Sequence, residues 1–259
     1  MNRKLLVDTA MYLVAFVAIT FFTNLAAMFV CQTHSMTPTV LAASSAAGSI
    51  LTIALFAWRK WSPVSGTYIN TRPWFTLFWV VCLAIGSGIP MQFALEEVGV
   101  ELPASYVQLF KDIMGSQLGY VSLGLLGPVA EEFVFRGAIL RRLLDSTDKR
   151  WHWPAVALTA ALFAIVHGNW AQGINAFALG LLLGWMYMRT RSLVPGVAFH
   201  IANNTISYIT CRMLPDSADK TLVEIYGGNM THVWLAVAFS LMIFAAALYQ
   251  LNVRMSHKQ

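Results

Sequence analysis

The chain has 259 residues, of which 58% are hydrophobic and only 11% charged, and its formal net charge is +5. A soluble domain usually holds about 25% charged residues. This balance, with a mean hydropathy of +0.62, excludes an ordinary soluble core and points to an all-α chain that threads a bilayer several times.

No polar stretch is long enough for a separate aqueous domain, so residues 1–259 read as a single membrane domain with short loops. The chain opens "MNRKLLVDTAMYLVAFVAITFF", a basic end followed by an apolar run, as a signal peptide does. The run is long for a signal, and no small-x-small site closes it before Cys31, so a retained first helix is expected. Spanning segments of about 20 apolar residues are predicted over 9–31, 39–58, 73–93, 117–140, 154–170, 172–189, 193–213 and 231–252. The fifth and sixth meet tightly at "HGNWAQG".

Between the third and fourth lies "EEVGVELPASYVQLFKDIMG", in which Val107, Leu109, Phe110, Ile113 and Met114 give an amphipathic pattern. Pro103 is placed to open a short helix along the outer interface, with an ordinary loop as the alternative. Gly180 and Gly184 form a GxxxG face with Ala176 a turn earlier, a pattern for close packing inside the bundle. Cys31, Cys82 and Cys211 lack CxxC or metal-type spacing and read as small apolar fillers.

Eight spans with an inside N-terminus put 13 basic residues on the inner side. Lys111, Arg212 and Lys220 fall outside, and Arg136 falls in the membrane. The outer loops instead carry Glu96, Glu97, Glu101, Asp112, Asp216, Asp219 and Glu224. This asymmetry follows the positive-inside rule and places both termini in the cytoplasm. The basic excess is thereby a matter of topology rather than of a nucleic-acid partner.

Three segments hold polar residues at a depth where a charge costs a few kcal/mol or more. In "GPVAEEFVFRG", Glu132 and Arg136 are four apart and share a helical face. At about 100° per residue, Glu131 points roughly 140° away from Arg136. The pair neutralises one carboxylate and leaves the other for chemistry, unless the group is only an ion network holding helices together. In "LFAIVHGNW", His167 follows Phe163 by one turn, as a packed histidine or a functional one. In "GVAFHIANN", His200 and Asn204 share a face and Asn203 falls near it, where interhelical hydrogen bonding is the plainer use. Asp8 sits at a span edge, and His34, His152, His232 and His257 fall in loops or at ends. Glu131 lies about 15 Å along its helix from Arg141, and His200 about 13 Å from Arg191. His167 falls somewhat further out, so one shared polar cavity is expected.

These motifs resemble those of the CPBP family, which holds CAAX prenyl endopeptidases and bacteriocin-processing or immunity (Abi) proteins. "EEFVFRG" is similar to its EExxxR motif, "FAIVH" to FxxxH and "HIANN" to HxxxN, in order over residues 115–210. The resemblance implies a glutamate-type intramembrane protease in a bacterial inner membrane. Glu131 would activate water with His167 assisting, His200 and Asn204 would hold the oxyanion, and Glu132 and Arg136 would shape the site. The alternative mechanism uses a divalent metal such as zinc on Glu131, His167 and His200, although HExxH is absent.

The expected partners are the lipid bilayer and a peptide or membrane-protein substrate, prenylated or small. Two other readings stay open. One is a non-enzymatic immunity or scaffold protein using the same pocket. The other is a small proton-coupled transporter. Oligomeric state is not legible.

Overall fold

In lipid every backbone N–H and C=O must be satisfied within the protein, and the described residues form helices and no strand. The structure, a computed structural model, describes residues 3–31, 37–64, 66–101, 103–217 and 220–255. His34 and His257 lie outside them, as do Asp219 and Lys258.

Among the described residues, eight long helices lie near the predicted positions. They are α1 (Arg3–Val30), α2 (Pro38–Trp58), α3 (Trp74–Glu97), α4 (Gln117–Asp145), α5 (His152–Ile165), α6 (Trp170–Thr190), α7 (Val194–Met213) and α8 (Met230–Arg254). Five of them, α1 to α4 and α8, are long and apolar enough to cross a membrane, so the expected count of eight spans is not established.

The reasons are physical. Helix α5 has 14 residues, about 21 Å of rise against a hydrocarbon core of about 30 Å. It ends at Ile165, short of the expected 170, because Gly168 turns the chain with φ +73°. Asn169 then caps α6 by accepting from the Gln172 N–H at 2.9 Å. Helices α6 and α7 dilute their apolar character with Gln172, Asn175, His200, Asn203 and Asn204.

Small residues bring the helices close, as expected where lipid gives no hydrophobic drive for association. A Cβ on Gly180 or Gly184 of α6 would meet Ala160 or Val156 of α5 at under 3 Å. The GxxxG face is therefore used inside the bundle. On α3, a Cβ at Gly86 would come within 2.6 Å of the Phe244 backbone nitrogen in α8. Helix α1 is tied to α4 by the Arg142–Asp8 ion pair at 2.8 Å, and its Tyr12 ring packs on Phe56 and Trp61. Large side chains such as Phe21, Phe22, Phe29 and Phe239 stay exposed, as a lipid-facing surface requires.

The segment before α4 does form a short helix, Ala104–Met114, directly after Pro103 and with Ile113 and Met114 buried. At the end of α3, both Glu96 carboxylate oxygens accept the Leu222 N–H at 3.0 Å. There a reciprocal cap joins Thr221 and Glu224. The Thr221 N–H, and then its hydroxyl, hold the Glu224 carboxyl below its usual range. At the other end of α4, Asp145 accepts from Arg191 Nη1 at 2.7 Å and Arg141 Nη2 donates to the Trp61 carbonyl at 2.9 Å.

At Gly86 the α3 backbone lies so near α8 that a side chain has no room. Gly86→Leu should lower the thermal midpoint in detergent by about 5 °C, from an overpacking cost of about 1–3 kcal/mol. An unchanged midpoint would show that α3 and α8 do not meet at this glycine.

Candidate active site

The candidate site is built on α4, which is not one uniform helix. A π-helical stretch runs Tyr120–Leu126, an α-helical stretch Gly127–Glu132, and a second π-helical stretch Phe133–Leu140. Such π insertions are rare and appear frequently at functional sites. Here they enclose the α-helical turn that ends in Glu131 and Glu132.

Glu132 points into the protein and is fully buried. Arg136 Nη1 donates to its Oε1 at 2.9 Å, and Nη2 donates to the Gly180 carbonyl of α6 at 3.2 Å. The guanidinium also lies 4.7 Å over the Phe163 ring of α5, a favourable cation–π placement. One ion pair thus holds three helices. A Cβ at Gly196 of α7 would sit 2.8 Å from Glu132 Oε2, so a side chain at residue 196 would force the carboxylate to shift.

Glu131 is less enclosed, with its side chain 26% exposed. The imidazole of His200, on α7, bridges the two acids. Its Nδ1 lies 3.2 Å from Glu132 Oε1 and its Nε2 lies 3.5 Å from Glu131 Oε2. A carboxylate paired with arginine accepts, so Nδ1 is the donor to Glu132. That fixes the ring with Nε2 toward Glu131, since the bond at one imidazole nitrogen sets the role of the other.

His167 stands in the turn after α5. Its Nδ1 lies 2.7 Å from the Phe163 carbonyl, which can only accept, so Nδ1 carries the proton and Nε2 keeps its lone pair when the ring is neutral. The Phe163 ring is shared between the two histidines, edge-on to His167 at 4.8 Å and to His200 at 5.9 Å.

Asn204 stands one turn beyond His200 on α7. Its Nδ2 donates to the Leu123 carbonyl of α4 at 2.9 Å, and its Oδ1 accepts from Asn203 at 3.3 Å. Just outside, the Tyr120 and Tyr208 rings stack at 4.5 Å, and the Tyr120 hydroxyl meets Thr205 at 3.0 Å.

The structure therefore joins Glu131, Glu132, Arg136 and His200 directly. His167 is linked through Phe163, and Asn204 through the α4 backbone. Sequence reasoning missed the Gly180 carbonyl, Gly196 and the Leu123 carbonyl. Gly196 carried a signal, standing one turn before His200, whereas a backbone acceptor carries none.

A catalytic zinc needs three side-chain donors converging at about 2 Å from the ion. Among the described residues no three His, Cys, Asp or Glu side chains are gathered in that way. The arrangement does not fit the zinc alternative, and no step below runs through a metal.

An all-helical membrane fold with a buried Glu–Arg pair beside a reachable Glu–His pair defines a membrane protein with an intramembrane polar site. Residues 115–206 match the family model of the type II CAAX prenyl endopeptidases, Rce1-like. The matched segment contains all six candidate residues, and the family it resembles is one of proteases. Comparison with curated proteins and with solved structures gave no match.

Arg136→Ala leaves Glu132 buried without its counter-charge, and breaking a buried pair in this way costs about 3–5 kcal/mol. Denaturation in detergent should show that loss. The double variant Glu132→Gln, Arg136→Met should recover at least half of it.

Proposed function

We propose that the protein is an intramembrane CAAX-type endopeptidase that hydrolyses a peptide bond in a prenylated, small or membrane-associated peptide. The observation that carries this reading is the division of labour between adjacent carboxylates. Glu132 is committed to Arg136, while Glu131 is partly open and 3.5 Å from His200 Nε2. The family match supports peptide-bond chemistry at these residues.

In the proposed step Glu131 takes a proton from water as the water attacks the scissile carbonyl, a general-base contribution of about 10²–10⁴-fold. His167, with Nδ1 held by Phe163, offers Nε2 as a second group on the water. His200 donates from Nε2 to the developing oxyanion while its Nδ1 donates to Glu132, which holds the ring in place. The proton on Glu131 then passes to the leaving amine. Asn204 belongs to the same face of α7, and its amide is engaged with α4.

The setting is a multi-pass protein of a bacterial inner membrane with both termini in the cytoplasm. The support is the excess of basic residues on one side of the helix ends. Maleimide labelling of single cysteines placed at residues 60 and 149, in a variant lacking the native cysteines, should occur only from the cytoplasmic side. Labelling of either from outside would reverse the topology.

The reaction is tested with a farnesylated CAAX peptide and purified protein in proteoliposomes. Glu131→Gln keeps the shape and removes the base, and should lower kcat by at least about 10²-fold with little change in KM. Undiminished cleavage by that variant would remove Glu131 from the chemistry.

A further inference from the structure

The first π-helical stretch of α4 ends at Leu126, two residues before Pro128. The Gly127 N–H bonds the Ser122 carbonyl, five residues back. In that register the donor for the Leu123 carbonyl is residue 128, which is proline and has no N–H. A backbone carbonyl left bare inside a membrane costs several kcal/mol. The bond that reaches it comes from another helix, because Asn204 Nδ2 of α7 donates to Leu123 O at 2.9 Å. The amide is turned that way by Asn203, which donates to Asn204 Oδ1 at 3.3 Å.

We propose that Asn204 is a positioning residue whose side-chain N–H replaces the backbone N–H that Pro128 lacks, locking α7 onto α4 at Leu123, eight residues before Glu131. The consequence follows from spacing. Asn204 and His200 are four apart on α7, and Leu123 and Glu131 flank Pro128 on α4. One turn of α7 therefore touches α4 at two points, Leu123 O and the Glu131–Glu132 carboxylates. The first contact fixes the sliding register of the second. An amide that only held the oxyanion would act on the bound substrate, and the backbone of α4 would be indifferent to it. The bond exchange stands independently of the reaction; its effect on turnover rests on the protease reading.

The test exploits the proline. Pro128→Ala restores a backbone N–H to α4, so the need for Asn204 should fall. Thermal midpoints in detergent are compared for unaltered protein, Asn204→Ala, Pro128→Ala and the double variant. Asn204→Ala alone should lose about 5 °C, from an unsatisfied buried carbonyl. The double variant should regain at least half of that loss relative to Pro128→Ala. If Asn204→Ala does not fold, the same replacement in the Pro128→Ala background should yield folded, monodisperse protein.

Equal losses in both backgrounds, or an unfolded double variant, overturn the proposal. In cleavage assays kcat should recover in the double variant along with the midpoint. Recovery of the midpoint with kcat still at the single-variant level overturns the positioning role and returns Asn204 to direct contact with substrate. If unaltered protein cleaves nothing, the protease reading fails and the midpoints still decide the bond exchange.

Discussion

A guanidinium that is 1% exposed must find its partners inside the protein, and Arg136 finds them on three helices. Its charge is met by Glu132, its second nitrogen by the Gly180 carbonyl and its face by Phe163. Each partner restricts its own surroundings. Gly180 must be glycine for α6 to approach α5, and a side chain at residue 196 would force the Glu132 carboxylate to shift. Burying two charges is weak ground for stability, since desolvation offsets much of the attraction. What the pair supplies is placement. It orients one carboxylate inward, and the preceding residue, Glu131, is left partly exposed at the far nitrogen of the α7 histidine that touches both acids.

Much of this was legible from spacing, although the geometry behind the spacing differs from the simple expectation. Glu132 and Arg136 were expected to pair on an α-helix with 3.6 residues per turn. They do pair, but Arg136 lies in a π-helical stretch where the turn is wider. The pairing survives because Glu132 closes the α-helical stretch just before it. The contact of Glu131 with His200 joins residues about seventy apart in sequence. Only the gathering of membrane-depth polar residues on three segments hinted at it. His167 was expected on a helix running to 170. It stands in the turn beyond Ile165, which Gly168 creates. The bond from Asn204 to Leu123 could not be read in advance. Pro128 is visible in the sequence, whereas the register shift that exposes Leu123 is a property of the folded backbone.

The same logic explains why the site can exist among lipid-facing helices. Irregular backbone and ionisable groups are tolerated at membrane depth where protein encloses them. Here α4 supplies the irregularity and α5, α6 and α7 enclose it. The buried Glu132–Arg136 pair is neutralised internally, which leaves the reachable acid beside an imidazole rather than beside a permanent cation. In the proposed reaction a base held in that way would exchange a proton with water and return it within one turnover.

The central claim is that adjacent carboxylates have opposite fates, one sealed against arginine and the other accessible. Modification by dicyclohexylcarbodiimide in intact membranes, mapped by mass spectrometry of the digested protein, reads this difference at single-residue level. The account predicts an adduct on Glu131 and none on Glu132. Equal modification of both, or modification of Glu132 alone, would contradict it.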